Sequence, residues 1–262
     1  MRSIGVNLFS LRSLIATEDG LCETLTALKA MGYNCAQFSG APFNAEVIKR
    51  ASEAAGVPIV ITHVPLADIL NRTDALMEEH ASFGCKYIGL GTLPRESITD
   101  ERMTKDTIER LERAAERMSA QGFRFFYHNH HTDCYKHGGE TVLDYMIRTC
   151  PHFNFLIDTY WLQFGGLSVA DYIKKLSGRI ACVHLKDYRI KAEKKDDGSF
   201  AFSPIYAPLG EGNLDFASYY PLFKAAGVEH YLVEQDNAVS FPDPLDELRR
   251  SALYIKENFA NG

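Results

Sequence analysis

No stretch of this chain reaches the roughly 18 consecutive apolar residues that a membrane-spanning helix needs, so no membrane partner is expected. The opening MRSIGVNLFSLRS is apolar only briefly, is interrupted by Arg12 and is followed by no small-residue cleavage site. It fits a first β-strand better than a secretion signal. No Cys-x-x-Cys pair links Cys22, Cys35, Cys85, Cys134, Cys150 and Cys182, so reduced thiols in a cytoplasmic protein are expected rather than a disulfide framework. Positive charge is also short. With 28 Lys and Arg against 34 Asp and Glu, the net charge is −6, which gives no general attraction for a phosphate backbone and disfavours a nucleic-acid partner. Pro- or Ser-rich linkers and low-complexity tracts are missing as well, and residues 1–262 read as a single domain.

Several catalytic signatures are absent too. There is no GxSxG elbow to anchor a hydrolase triad. No strand is followed by the GxGxxG of a dinucleotide site. LGEGN at 209–213 resembles a phosphate loop but lacks the Lys and Ser/Thr that make one work.

What is present is a soluble globular composition, 46% hydrophobic and 24% charged, with ample material for a core. Short apolar runs recur, each followed by a polar loop and a segment of helical periodicity. The runs predict strands over 3–9, 35–39, 59–63, 87–90, 124–128, 153–158, 180–184 and 230–234. Between them GLCETLTALKAMG repeats leucines at helical spacing and stops at Gly32, and the stretches ending at Gly122 and Gly227 follow the same grammar. A parallel crossover needs a dozen or more residues, usually helical, so strand then helix repeated along the chain predicts a (β/α)8 TIM barrel. Such barrels typically take about 250 residues. One stretch breaks the rhythm: KAEKKDDGSFAFSPIYAPLGEGN, at 191–213, predicts a long functional or mobile loop on the active-site side.

A barrel gathers its chemistry at the C-terminal ends of its strands, and there the sequence places His128, Asp158, His184 and Glu234. Each follows an apolar run, and together they make a divalent-metal site plausible. Taken alone, Asp158 serves equally as a helix cap, His184 as a satisfied core imidazole, and Glu234 as half of a salt bridge across the mouth. Lys186 shares a strand face with His184 and suits a substrate anion or developing negative charge. YHNHH offers His128 and His130 on one face, and His63 ends the third strand as a substrate contact or proton carrier.

GVNLFSLR, YHNH, LIDTYW, GRIACVHLKD, PLGEGNLDF and VEQD occur in an order and spacing that resemble the sugar isomerase and epimerase family with a xylose-isomerase-like barrel, nearly end to end. The resemblance implies one divalent metal ion (Mn, Zn, Mg or Co) held by Asp158, His184 and Glu234, with the fifth-strand ligand falling on His128 or, in reserve, Asp133. Gln37 stands where relatives commonly have Glu. The implied reaction is isomerisation or epimerisation of a ketose, aldose or keto-sugar, phosphorylated or not, through a metal-stabilised enediolate. In that reading Glu234 moves the proton on one face, His128 or His63 on the other, and Lys186 steadies the charge. Substrate contacts are expected from Asn7, Arg12, His130 and Trp161. The alternatives are a lyase or dehydratase acting on a 3-keto-glycoside or related keto-sugar, and a non-catalytic sugar-binding barrel without metal. The apurinic endonucleases of the same superfamily need a basic DNA-facing surface, which this acidic chain does not promise. Trp161, Phe164 and the long loop suit either a cover for the substrate or a contact in a homo-oligomer.

Overall fold

A computed structural model describes residues 3–259. Eight parallel strands close into a barrel, formed by Ser3–Asn7, Cys35–Phe38, Ile59–His63, Tyr87–Leu90, Arg124–His128, Phe153–Asp158, Cys182–Leu185 and His230–Val233. Each strand pairs with its neighbours in sequence, and the first closes onto the eighth with Ser3 opposite His230 and Val6 opposite Val233. The first strand ends at Asn7 rather than residue 9, because the Asn7 side chain accepts the Phe9 N–H and starts a 3-10 turn over Leu8–Leu11. The seventh begins at Cys182 and runs one residue beyond its expected end.

Strand alternation sets the site. The inward-facing Cys35, Ile61, Phe126, Leu156, Cys182 and Leu232 form a small apolar plug inside the barrel. Two residues further along the same strands, and so on the same face, come Gln37, His63, His128, Asp158, His184 and Glu234. The intervening residues, such as Tyr127, Ile157, Val183 and Val233, point outward into the larger core under the helices. The barrel therefore has a greasy floor and a polar upper storey, both dictated by a period of two.

Gly5 lies in the same inward row. A Cβ there would fall 2.4 Å from the Cys35 carbonyl oxygen and 2.6 Å from its Sγ. Since the nearer clash is with backbone, Gly5→Ala is expected to cost about 2–3 kcal/mol and to lower the thermal midpoint by roughly 5–10 °C, read by circular dichroism.

The stretch expected as a long loop is instead an antiparallel hairpin of Asp187–Lys194 and Phe200–Ala207, in register from Asp187 opposite Ala207 to Lys194 opposite Phe200. Its turn closes through Lys195 N–H to the Ser199 carbonyl, with Gly198 in the left-handed region at φ +83. The hairpin's foot is fixed by Asp187, whose buried carboxylate accepts the backbone N–H groups of Tyr188, Gly210, Gly212 and Leu214. A second, two-residue hairpin of Lys136–His137 and Glu140–Thr141 turns at Gly138 and Gly139. All six cysteines are free thiols. Among the described residues, no helix is long and apolar enough to cross a membrane.

Candidate metal centre

His128, Asp158, His184 and Glu234 converge so closely that one ligand atom from each lies within 4.8 Å of all the others. His184 Nδ1 is the hub, 3.0 Å from His128 Nε2, 2.6 Å from Glu234 Oε2 and 3.8 Å from Asp158 Oδ2. All four side chains are buried.

The hydrogen bonds behind these groups fix the tautomers. His128 Nδ1 lies 3.1 Å from the Gly91 carbonyl, which can only accept, so Nδ1 carries the hydrogen and Nε2 faces the cluster bare. His184 Nε2 donates to the Gln37 amide oxygen at 2.6 Å, leaving Nδ1 bare. Two nitrogen lone pairs 3.0 Å apart, with two carboxylate oxygens beside them, repel one another unless a cation sits among them. The donor set of two imidazoles and two carboxylates is what a divalent ion such as Mn, Zn, Co or Mg would need. Without an ion, a proton serves: burial pulls the His184 imidazole down, but Glu234 and Asp158 more than reverse this and hold it above its ordinary value. Glu234 responds in the opposite sense, with burial outweighed by His184 and Lys186, so its carboxyl lies well below the usual range.

Asp158 caps a helix and faces the cluster at once. Oδ1 accepts the Trp161 N–H at 2.8 Å and caps the helix Thr159–Phe164, while Oδ2 faces the cluster. Its own N–H donates to Asn129 Oδ1. Asp133 goes elsewhere. It sits on a 3-10 turn beyond the fifth strand, where it accepts from the Tyr127 hydroxyl at 2.9 Å and the His130 N–H at 2.7 Å, so His128 and not Asp133 joins the cluster.

Burial pushes the Asp133 carboxyl up to about 7. The folded chain therefore holds a proton that the unfolded chain, with a carboxyl near 4, has already lost, and this contribution to stability falls as pH rises from about 4 to 7. In urea titrations, Asp133→Asn is expected to compare progressively better with the wild type between pH 5 and 8. A gap that stays constant would show that Asp133 carries no such proton.

Lys186, buried above the cluster, lies 3.8 Å from both Asp158 and Glu234 and 2.8 Å from Asp236. Its ammonium sits 4.9 Å from the Trp161 ring centre and 4.7 Å from that of Tyr206. Burial disfavours its charge, but Glu234, Asp158 and Asp236 overcome that and raise its pKa. The Asp236 carboxyl is raised as well, pushed up to about 6 by burial and the neighbouring Glu234 against the pull of Lys186.

A cavity of about 340 Å³ opens over these groups, lined among others by Asn7, His63, His130, Lys186, Glu234 and Asp236. The His63 ring lies 5.2 Å from that of His128, and Gly89 and Gly91 leave it room. Buried polar atoms without a partner on the lining residues include His63 Nε2, His130 Nδ1 and Asp236 Oδ1, whereas Trp161 lies outside the lining. Asn7 Oδ1 accepts from Ser39 Oγ at 2.5 Å. Arg12 lies outside this lining, and its guanidinium instead ties the carbonyls of Phe9 and Asp236 together. The sequence reading passed over Asp236 and Tyr206. Asp236 is two residues beyond Glu234, the same spacing that puts Lys186 beside His184, and Tyr206 arrives on the hairpin.

A family model described as xylose isomerase-like TIM barrel matches residues 25–258. An inosose dehydratase from Geobacillus thermodenitrificans is 30% identical over 160 residues, 57% of this chain and 53% of the relative. Another from Clostridium perfringens is 27% identical over 170 residues, covering 61% and 56%. The chain thus spans about half the length of these curated relatives. A solved sugar phosphate isomerase/epimerase from Parabacteroides distasonis superposes with a TM-score of 0.78 at 19% identity, covering 97% of this chain and 93% of that one. At that identity the likeness bears on the fold alone.

Proposed function

The chain belongs to the xylose isomerase-like TIM barrel family, and on that footing we propose that it removes the proton beside the carbonyl of a keto-sugar and expels a neighbouring hydroxyl as water. The observation that carries this reading is the placement of Glu234 and Asp236 two residues apart on one strand end, with the Lys186 ammonium between them. A base and an acid rising from the same strand address the same face of a substrate, which is what a syn elimination needs. The inosose dehydratase relatives point the same way.

A divalent ion held by His128, Asp158, His184 and Glu234 would supply Lewis-acid polarisation of the substrate carbonyl. The chain's own groups do the rest. Glu234, held ionised, accepts the proton from carbon. The C–O bond of the adjacent carbon breaks, its electron pair leaves with oxygen, and protonated Asp236 donates the hydrogen that completes water. Lys186 donates hydrogen bonds to the oxygen on which charge develops, and the proton on Glu234 returns to Asp236 through solvent.

A second reading keeps the same first step and returns the proton from the opposite face, making the enzyme an isomerase or epimerase. His63 Nε2, buried and partnerless, favours it. His128 suits that task poorly, since its Nδ1 donates to the Gly91 carbonyl and its Nε2 is turned into the ion-donor cluster.

The test is to incubate Mn-loaded protein with keto-cyclitols and ketoses in heavy water, followed by mass spectrometry and NMR. Loss of one water supports elimination, whereas deuterium incorporation without water loss supports isomerisation. Neither would sink proton transfer altogether. Asp236→Asn is expected to slow water loss by roughly 100-fold while carbon-bound hydrogen still exchanges.

A further inference from the structure

Beside the mouth, the loop after the fourth strand meets the turn after the fifth and the helix Thr159–Phe164, and between them runs a second cavity. This groove has a volume of about 450 Å³, and its lining includes Arg95, Ile98, His131, Cys134, Tyr135 and Phe164. We propose that it is a second ligand site, for a flat molecule of about one aromatic ring that carries a single carboxylate. The proposal does not depend on which reaction the mouth performs.

The groove presents large apolar side chains to solvent and yet holds them firmly. Phe164 is 51% exposed and Tyr135 47%. Phe164 stacks on Tyr160 with ring centres 5.4 Å apart and stands edge-on to His131 at 5.1 Å. Tyr135 donates its backbone N–H to the Thr132 carbonyl and accepts from the Val142 N–H. A Cβ on Gly165, which also lines the groove, would fall 2.3 Å from Cys134 Sγ, so glycine lets the two walls close up there. The groove is therefore formed before anything enters it, and its size falls within the range of small-molecule sites. Exposed rings favour a flat aromatic body, which gains offset or edge contacts beyond the area it buries.

The charge comes from Arg95. Arg50, Arg72, Arg117, Arg148 and Arg250 each reach a carboxylate. The Arg95 guanidinium has no ion pair, hydrogen bond or ring partner among the described residues. Nor does the described lining contain an Asp or Glu to neutralise it. A guanidinium fork pairs with a carboxylate through two parallel hydrogen bonds. His131 adds hydrogen-bonding capacity without a second charge: burial holds its imidazole below the ordinary value, and Nδ1 has no partner. One cation against apolar walls selects one negative charge.

A ligand in the groove lies one ring away from the mouth. His131 stacks on Trp161 with centres 4.8 Å apart, and the Lys186 ammonium lies 4.9 Å from the Trp161 ring centre. Trp161 is the sole tryptophan, so its fluorescence reports what fills the groove.

The experiment titrates the protein with phenylacetate and with its neutral counterpart phenylacetamide, followed by Trp161 fluorescence and calorimetry. Phenylacetate is expected to bind about tenfold more tightly than the amide, and Arg95→Gln to erase that preference. Phe164→Ala should weaken both compounds by about tenfold. Affinities should agree within about twofold before and after Mn loading and in Lys186→Met. Undiminished phenylacetate binding in Arg95→Gln would overturn the proposal, as would silence from both compounds at millimolar concentration. Dependence on Mn or on Lys186 would place the ligand in the mouth and overturn it as well. Sedimentation of wild type and Phe164→Ala tests the remaining occupant, since a dimer that falls apart in the variant would give the groove to a second copy of the chain.

Discussion

Protein loaded with Mn, Zn, Co or Mg and then desalted should retain about one divalent ion per chain, and an Asp158→Ala, Glu234→Ala double variant should retain none. The expectation follows from the tautomers. With His128 Nδ1 committed to the Gly91 carbonyl and His184 Nε2 to Gln37, two bare nitrogens and two carboxylate oxygens share one small volume. Ion binding should also be visible as stability. A ligand at about 1,000 times its dissociation constant adds about 4 kcal/mol, so the wild type should gain roughly 10 °C in melting temperature on ion addition and the variant nothing. Retention should improve with rising pH, since the ion displaces the proton that His184 otherwise keeps. Elemental analysis and a melting scan decide the matter. A wild type that stays ion-free after every incubation would remove the metal from the reading.

Lys186→Met should keep the ion and lose the reaction, with kcat falling roughly 100- to 1,000-fold. The ammonium is the one positive side chain touching Asp158, Glu234 and Asp236 together, and none of the four ion donors depends on it for position. Its removal leaves Asp236 beside Glu234 without compensation, so the Asp236 carboxyl should climb further above its ordinary value. The alkaline limb of the pH-rate profile, where the acid loses its proton, should move to higher pH accordingly. In the ion-free protein the loss of a buried ammonium should also cost about 3–5 kcal/mol of stability. Lys186→Arg should not restore the rate, because a planar fork spreads its charge and cannot place it at one point near Asp158, Glu234 and Asp236 as the ammonium does. Near-normal kcat in Lys186→Met would assign the ammonium a purely structural task.

Much of the barrel was legible because a period of two leaves a plain trace. Each apolar plug residue is followed two positions later by a polar one, as in Leu156 and Asp158 or Leu232 and Glu234, so the strand ends announced themselves. The choice between His128 and Asp133 was not legible. It turns on where the fifth strand stops, which the His130–Asp133 cap decides. The Gly91 carbonyl that sets the His128 tautomer has no side chain to notice. Gln37 drew attention only as a departure, although its amide oxygen orients His184. The hairpin was missed for another reason. Tyr188, Ile190 and Ala192 alternate properly, but the segment lies where a βα loop was expected and much of it faces solvent.

That hairpin divides the molecule's inheritance into two parts. The ion donors belong to strand ends held by the barrel floor, whereas one wall over Lys186 is Tyr206, carried on a segment pinned at its foot by Asp187. Changes in the hairpin's length or side chains would reshape the entrance while the reacting centre stays as it is. Over evolutionary time such an arrangement lets a lineage try new substrates without renegotiating its chemistry, and it marks residues 187–207 as the place where laboratory selection for altered specificity should begin.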